Sequence, residues 1–426
     1  MNEYKTTRRK FLKATGLAAA AMGFPTIIPS SARGDATTPP PSERIVMGGI
    51  GIGNMGGGDL GAFVNNPAVQ YVAVCDVRKN VCNGAKGSVD RQYNNTDCKA
   101  YGDFRDLLAR NDINAVVIAT PDHWHVPIAL AAVRAGKDVY VEKPLGISVA
   151  AKKALREAVH RYSAIFQYGT QQRSFNTHCA LACELVRNGY IGELKAIHVV
   201  APDGAGGGDP TPQPVPAGLD YDLWLGPAPL KPYTHDRVFG MGRFFIYDYS
   251  LGYIAGWGAH PLDIAHWGYP HIPVEYEGTG VIPTQGLFDT VINWDVRGRY
   301  ASGVEFTLKP GGDKTTFVGT QGWIAPSRGG IIAEPASLLK TTLKPDGVHL
   351  LQDNHHYRNF LTAVLSRKTP ASDIDSAVQS DFISHLGDIA IRTGRRIKWD
   401  PKAEQIVGDE GASRMLTRAL RPPWAL

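Results

Sequence analysis

Two groups of residues in this chain have the types and the spacing that chemistry needs. The first is Gly51-Ile52-Gly53-Asn54-Met55-Gly56, which follows at once on a short apolar run ending at Ile50. In such a turn the first glycine permits the tight bend and the second lets backbone approach a pyrophosphate. The third packs helix against strand. The helix that starts there offers unpaired N–H groups and the positive end of its dipole to phosphates. A second apolar strand, Val69 to Cys75, ends in Asp76, twenty positions past Gly56, where a carboxylate can hold ribose hydroxyls. Gly48, Gly49, Gly57 and Gly58 make the region glycine-rich, so the glycine pattern alone is weak. A surface loop, however, does not account for the strand before it or for Asp76. The stretch reads as a dinucleotide site, and Asp76 favours NAD. Arg78, two residues on, could meet a 2′-phosphate, which keeps NADP open.

The second group is Glu142-Lys143-Pro144, at the end of the strand Asp138 to Val141. A residue before proline is pushed to extended backbone, which aims Lys143 out of the strand end toward the crevice. A neighbouring positive ring and partial burial both lower a lysine's pKa and make it a usable proton acceptor. On spacing alone, a solvated surface lysine fits equally well. Further along, His260 stands just before Pro261, a favoured first helical residue, and Asp263 follows three later on the same helical face. One helix start could therefore present an imidazole and a carboxylate to one pocket, although such a pair is also a common way to cap a helix over a buried histidine. Tyr247, Asp248 and Tyr249 could line a substrate site or simply pack. Arg173 could bind substrate hydroxyls or the neighbouring domain. His123 and His125 have chelating spacing but only Asp122 nearby, so no metal centre is expected, and His355 and His356 read as structural.

The elements that must position these groups follow from length and pattern. A chain of 426 residues, 43% hydrophobic and 20% charged, is a soluble globular protein of two domains. The net charge of +5 is mostly N-terminal, where Lys5, Arg8, Arg9, Lys10 and Lys13 face Glu3 alone. No basic face, and so no nucleic-acid partner, is expected. Thr7-Arg8-Arg9-Lys10-Phe11-Leu12-Lys13, the mild apolar run Ala14 to Phe24, and Ser30-Ser31-Ala32 match a twin-arginine export signal over residues 1–32. The apolar run is too short and alanine-rich for a membrane anchor, so a periplasmic or secreted protein is expected. Residues 33–43 read as a proline-rich linker. Five cysteines with no zinc spacing, in a protein folded before export, read as packing residues.

From 44 to 170, strands alternate with helices: Ala115 to Thr120 is fully apolar, as a strand buried on both faces should be. This alternation predicts a doubly wound α/β domain with ligands at the carboxyl ends of its strands. Residues 171–400 change pattern. A helix at Cys179 to Asn188 and a strand at Leu194 to Val200 lead to a Gly/Pro-rich loop from Asp203 to Pro232. Alternating strands (274–281, 290–295, 301–308, 315–318) and two helices near 355–366 and 374–392 follow, which predicts an α+β domain with a large, mostly antiparallel sheet. Residues 401–426 read as a C-terminal tail.

Taken together, the glycine turn, Asp76, Ala119-Thr120-Pro121 with His125, and Glu142-Lys143-Pro144 resemble the Gfo/Idh/MocA oxidoreductases. That family includes glucose–fructose oxidoreductase, inositol dehydrogenase and NAD-dependent glycosidases. The resemblance continues through Gly169-Thr170-Gln171-Gln172-Arg173, Trp224-Leu225-Gly226-Pro227 and Gly256 to Trp267, covering nearly all of the chain past the signal. It implies a Rossmann domain whose Thr120, Pro121, His125, Glu142 and Lys143 contribute to the cofactor site. It also implies a catalytic group of Lys143, His260 and Asp263, and a second domain that binds a sugar or polyol and assembles dimers or tetramers. Exported members commonly carry aspartate four residues before the histidine. Here that position is Gly256, so the carboxylate's role is vacant or passes to Asp248 or Asp263. Two activities stay open: hydride exchange between a sugar hydroxyl and a tightly held NAD(P), and glycoside cleavage by transient oxidation, elimination, water addition and re-reduction. A non-catalytic binder, like the family's galactose-pathway repressor, is disfavoured by the retention of Lys143, His260 and Asp263.

Overall fold

In the computed structural model, residues 39–174 and 177–426 are described. The signal expected over 1–32 and most of the linker expected over 33–43 lie outside them. Of that linker, Pro41–Glu43 forms one 3-10 turn. Residues 45–426 make one compact unit.

Its first half is a six-stranded parallel sheet with strand order β3-β2-β1-β4-β5-β6. The strands are β1 (Ile45–Ile50), β2 (Val69–Cys75), β3 (Lys99–Tyr101), β4 (Ala115–Ile118), β5 (Asp138–Val141) and β6 (Phe166–Tyr168). The chain order reverses between β1 and β4, which makes their carboxyl ends the crevice of a doubly wound sheet. The crossovers are α1 (Asn54–Val64), α2 (Lys79–Tyr93), α3 (Phe104–Leu108), α4 (Asp122–Arg134) and α5 (Val149–Tyr162). β4 and β5 are buried at every position, as β-branched runs covered by helices on both faces must be.

α1 begins at Asn54, at the glycine turn, and its three consecutive glycines are helical despite their poor propensity. α4 starts at Asp122 and carries Pro127 inside, so His123 and His125 belong to its first turn. α2 and β3 escape a periodicity reading because α2 is polar and holds two glycines, and β3 is short and largely exposed.

The second half follows α6 (Thr177–Arg187) and is a nine-stranded sheet, with order β13-β12-β11-β7-β10-β9-β8-β14-β15. Its strands are β7 (Leu194–Ala201), β8 (Glu275–Val281), β9 (Ile292–Arg299), β10 (Glu305–Pro310), β11 (Lys314–Gly319), β12 (Trp323–Ser327), β13 (Gly330–Glu334), β14 (Ile397–Asp400) and β15 (Gln405–Ile406). Its pairings are antiparallel except β7 with β10. Helices α7 (Tyr253–Gly256) and α8 (Ala259–Gly268) follow; α9 (His356–Ser366) packs on the core of the first sheet, with Phe360 edge-on to Phe63 at 6.0 Å, and α10 (Ile374–Thr393) packs on β8 and β9. α10 is bounded by capping chemistry: Asp373 accepts from the Asp375 and Ser376 N–H groups, and Gly394 closes the helix at φ 61°.

One apolar core runs under both sheets, from Ile50 to Ala412, and a second, around Phe63, Tyr140 and Phe360, lies on the parallel sheet. A buried ion pair between Lys152 of α5 and Asp381 of α10, joined by His385 and by the Tyr168 hydroxyl, ties the two halves. Residues 401–426, expected as a tail, contain β15 and a helical turn at Glu410–Arg414. They also bring Trp424 edge-on to Trp124 at 4.8 Å.

Candidate active site

The crevice at the carboxyl ends of β1, β2, β4 and β5 is a cleft of about 300 Å³, within the range of ordinary small-ligand pockets. Gly51 bends away from β1 at φ +80°, and a Cβ there would lie 2.7 Å from the Thr120 nitrogen. A Cβ on Gly56 would lie 2.0 Å from the Gly51 carbonyl oxygen. The turn thus packs against β4 at a distance only glycine allows. Gly53 caps α1 without any side-chain partner, so the first N–H groups face the cleft, as a phosphate requires. The buried Thr120 Oγ1, on the cleft wall, has no partner among the described residues. These features fit a dinucleotide.

At the tip of β2, Asp76 accepts from the Ile52 N–H (3.1 Å) and the Arg78 N–H (2.9 Å). The Arg78 guanidinium folds back on the same carboxylate, with Nε 3.1 Å from Oδ1 and a terminal nitrogen 3.1 Å from Oδ2. The long loop after β7 closes this end: Lys79 donates to Gly218 O and Asp220 N–H donates to Val77 O. Trp124 of α4 holds the same loop by donating to the carbonyls of Leu223 and Trp224.

Deeper in, His125 bridges two strand ends, with Nδ1 2.7 Å from Pro144 O and Nε2 2.7 Å from Thr120 O. Two carbonyls favour imidazolium, but burial outweighs them and pushes the pKa down. His125 therefore positions the Thr120 and Lys143 loops and ligates nothing. His123 turns elsewhere, to Trp224 O, and burial pushes its pKa down to about 3. Glu142 is buried and receives Gln171 Nε2 at 2.8 Å and the Lys143 N–H at 3.3 Å. Burial raises its pKa to about 7 against the pull of Lys143. Gly169 makes this seat possible, since a Cβ there would meet Glu142 Oε1 at 2.4 Å. Lys143 crosses the cleft and donates from Nζ to Gly256 O at 3.1 Å. His260, one helical segment on, is buried, and its Nδ1 has no partner among the described residues. Burial, and then Lys143, hold its pKa well below the usual histidine value, so it stays a neutral proton acceptor.

The cleft wall therefore gathers Gly51, Gly53, Asn54, Met55, Asp76, Arg78, Thr120, Pro121, His125, Glu142 and Lys143. Four other expected site residues are placed differently. Asp263 is 0% exposed, and both carboxylate oxygens are taken by Arg173, at 2.6 and 2.5 Å. Arg173 in turn donates to Ala371 O. α8 starts at Ala259, so His260 and Asp263 are both helical, but Asp263 faces this internal ion pair and not the cleft. Neither Arg173 nor Asp263 can reach a substrate as placed. Tyr249 is fully buried with its hydroxyl on Arg237, and the Tyr247 ring lies between the guanidinium groups of Arg392 and Arg418, 3.4 and 3.6 Å from the ring centroid. Both are packing residues.

Sequence reasoning did not single out the wall at Val238–Phe244, with Arg243 and Phe244. Nor did it find the polar group around Trp257, Asp313 and Arg328. The only signal for these was the turn Lys309-Pro310-Gly311-Gly312 before Asp313.

Residues 45–170 match the model described as "Oxidoreductase family, NAD-binding Rossmann fold", and residues 204–426 match "Oxidoreductase family, C-terminal alpha/beta domain". A protein of Shewanella putrefaciens named "Glycosyl hydrolase family 109 protein" is 28% identical over 203 residues, 44% of this chain and 44% of that protein. The chain thus spans less than half the length of such curated relatives. Among solved structures, scyllo-inositol dehydrogenase from Lactobacillus casei, with bound NAD(H) and scyllo-inositol, superposes with a TM-score of 0.59 at 17% identity. It covers 83% of this chain and 99% of its own. The WlbA dehydrogenase from Bordetella pertussis, in complex with NADH and UDP-GlcNAcA, gives 0.62 at 17%, covering 84% and 99%. With a nucleotide cradle at one end of the cleft and family models matching on both sides of it, this chain belongs to the Gfo/Idh/MocA oxidoreductases and carries their NAD-binding Rossmann domain.

Proposed function

We propose that this protein is an NAD(P)-dependent oxidoreductase acting on a hydroxyl of a sugar or sugar derivative. The observation that carries the reading is Lys143, which leaves the nucleotide cleft and ends on Gly256, beside His260, in the second half of the chain. When bound, the nicotinamide supplies a hydride acceptor and donor. Gly51, Gly53 and Gly56 would admit the pyrophosphate, and Asp76 with Arg78 would take the adenosine ribose, Arg78 swinging out to meet it. Lys143 would hold the reacting hydroxyl, and neutral His260 would accept its proton. Asp263 and Arg173 act behind His260 by fixing α8. Lys143→Ala should retain nucleotide and lose turnover by at least about 100-fold, the scale of a lost hydrogen-bond donor at the reacting oxygen. Unchanged turnover in that variant overturns the assignment.

The Shewanella relative and its like support a second reading, in which a glycoside is cleaved by transient oxidation, elimination, water addition and re-reduction. The two are separated by denaturing the purified protein, identifying any released nucleotide, and offering the native protein glycosides and free sugars. Aglycone release with no net cofactor change marks the glycosidase; cofactor reduction without bond cleavage marks the dehydrogenase. We further propose export through the twin-arginine route, on the strength of Arg8-Arg9 and the segment after them. Replacing both arginines with lysine should retain the protein in the cytoplasm. Assembly into a dimer or tetramer belongs to the same reading and is checked by light scattering.

A further inference from the structure

Gly256 is buried, yet outside its chain neighbours and its own helix backbone a Cβ built on it would meet one atom only within 4 Å, Tyr253 Cδ1 at 3.9 Å. A buried backbone position normally has close neighbours on every side, so this one borders a gap. Polar groups with unused hydrogen-bonding capacity surround the gap. Lys143 Nζ stands on the Gly256 carbonyl. His260 Nδ1 is buried without a partner among the described residues, and its ring lies 6.4 Å from the Trp257 ring, edge to face. Asp313 stands nearby, at the turn between β10 and β11. It is acted on by Lys143 and stands within reach of the Trp257 indole. Burying a donor or acceptor without a partner costs free energy. An unpartnered imidazole nitrogen, an ammonium and a partly open carboxylate around one gap are the lining of a site for a ligand rich in hydroxyls.

Asp313 is suited to that ligand. Its side chain is 17% exposed, with Gln172 Nε2 donating to Oδ2 at 3.2 Å and Arg328 Nε 3.7 Å from the same oxygen. Its carboxylate is thus oriented by one edge while the side chain keeps an open face. It differs in this from Glu142, which is sealed under Gln171, and from Asp263, both of whose oxygens are taken by Arg173. We propose that Asp313 is the carboxylate that binds hydroxyls of the substrate beside Lys143, and that the space at Gly256 receives part of that substrate. This rests on the oxidoreductase reading and specifies its second wall: a polyhydroxylated substrate held between an ammonium and a carboxylate that belong to different sheets.

The test uses the purified full-length protein and the sugar or glycoside on which the wild type is most active. Asp313→Asn should bind nucleotide as the wild type does and lose kcat/KM by about 30-fold, as for a hydrogen bond to a charged group. Moving the carboxylate to the gap, in the double variant Asp313→Asn with Gly256→Asp, should regain at least tenfold. Gly256→Leu, which fills the gap, should keep nucleotide and lose the substrate, and it tests the site even where Asp313→Asn fails to fold. An Asp313→Asn variant within threefold of the wild type, or a fully active Gly256→Leu, overturns the inference and leaves the oxidoreductase reading standing. A wild-type protein that binds nucleotide and acts on nothing in the panel overturns both.

Discussion

The Asp263–Arg173 pair is the place where chemistry and architecture make opposite demands on one carboxylate. Asp263 is 0% exposed and Arg173 3% exposed, and two charged hydrogen bonds of 2.6 and 2.5 Å join them. Asp263→Ala would leave the guanidinium buried with Ala371 O, at 3.2 Å, as its hydrogen-bond acceptor among the described residues. Removing one partner of a buried pair costs roughly 3–5 kcal/mol, and Arg173→Met should cost about as much. Removing both charges is different, because apolar residues of similar volume in place of a buried pair are neutral or stabilising by about 1–4 kcal/mol. Against that, Ala371 O would lose its donor, about 1 kcal/mol. Arg173→Met with Asp263→Val should therefore unfold within about 2 kcal/mol of the wild type, a coupling between the sites far outside additive behaviour. The assay is urea unfolding at fixed nucleotide concentration, since a bound ligand shifts the midpoint, with turnover measured alongside. The singles should fall sharply in midpoint, and the double should recover both stability and measurable turnover. An Asp263→Ala variant that unfolds where the wild type does and is catalytically dead would refute this reasoning and return Asp263 to the chemistry.

Two other outcomes follow from the same geometry. Gly56→Ala puts a methyl group 2.0 Å from the Gly51 carbonyl oxygen. The turn must open to admit it, so nucleotide binding measured by calorimetry should drop by at least about 100-fold while the second sheet stays folded; unchanged affinity would show that the turn is not the cradle. His123 is held neutral down to about pH 3, against an ordinary value of 6.5. Below pH 6.5 the unfolded chain binds a proton that the native state refuses, so stability falls as pH falls. Compared with His123→Gln, which removes this titration, the wild type should lose about 1.6 kcal/mol in all between pH 6.5 and 5, with a slope that steepens toward about 1.4 kcal/mol per unit as pH falls. Parallel stability curves for the two proteins would contradict the burial argument.

The readable parts of this molecule are those in which backbone geometry does the work. Gly51, Gly56 and Asp76 lie within one local β-α-β segment, so their spacing along the chain is also their spacing in space. Lys143 is legible for a related reason, because a strand end in a doubly wound sheet has only one crevice to point into. Asp263 and Tyr249 were misplaced by the same kind of reasoning. Helical spacing puts His260 and Asp263 on one face, but that face is wide enough for the histidine to border the gap while the aspartate meets Arg173 from a different segment. Nothing local in the sequence announces a partner ninety residues away. The same holds for Tyr247, whose ring lies between arginines 392 and 418.

This division has a consequence for how such a site can vary. The nucleotide end is centred on one continuous stretch in which Gly51 and Gly56 leave no room for a Cβ, so a change at either is felt by the fold. The opposite wall is assembled from Lys143, Gln172, the Gly256–His260 segment, Asp313 and Arg328, which the two sheets bring together from five separate places. Each can be replaced without disturbing the others' backbone, and a carboxylate absent at position 256 can be supplied from the β10–β11 turn. Substrate choice should therefore track substitutions at 256 and 313 while cofactor affinity stays constant. Exchanging the residues at these two positions, Gly256→Asp with Asp313→Gly, should alter which sugars are turned over and leave the nucleotide dissociation constant within about threefold. A parallel loss of nucleotide would show that the two ends of the cleft are not independent.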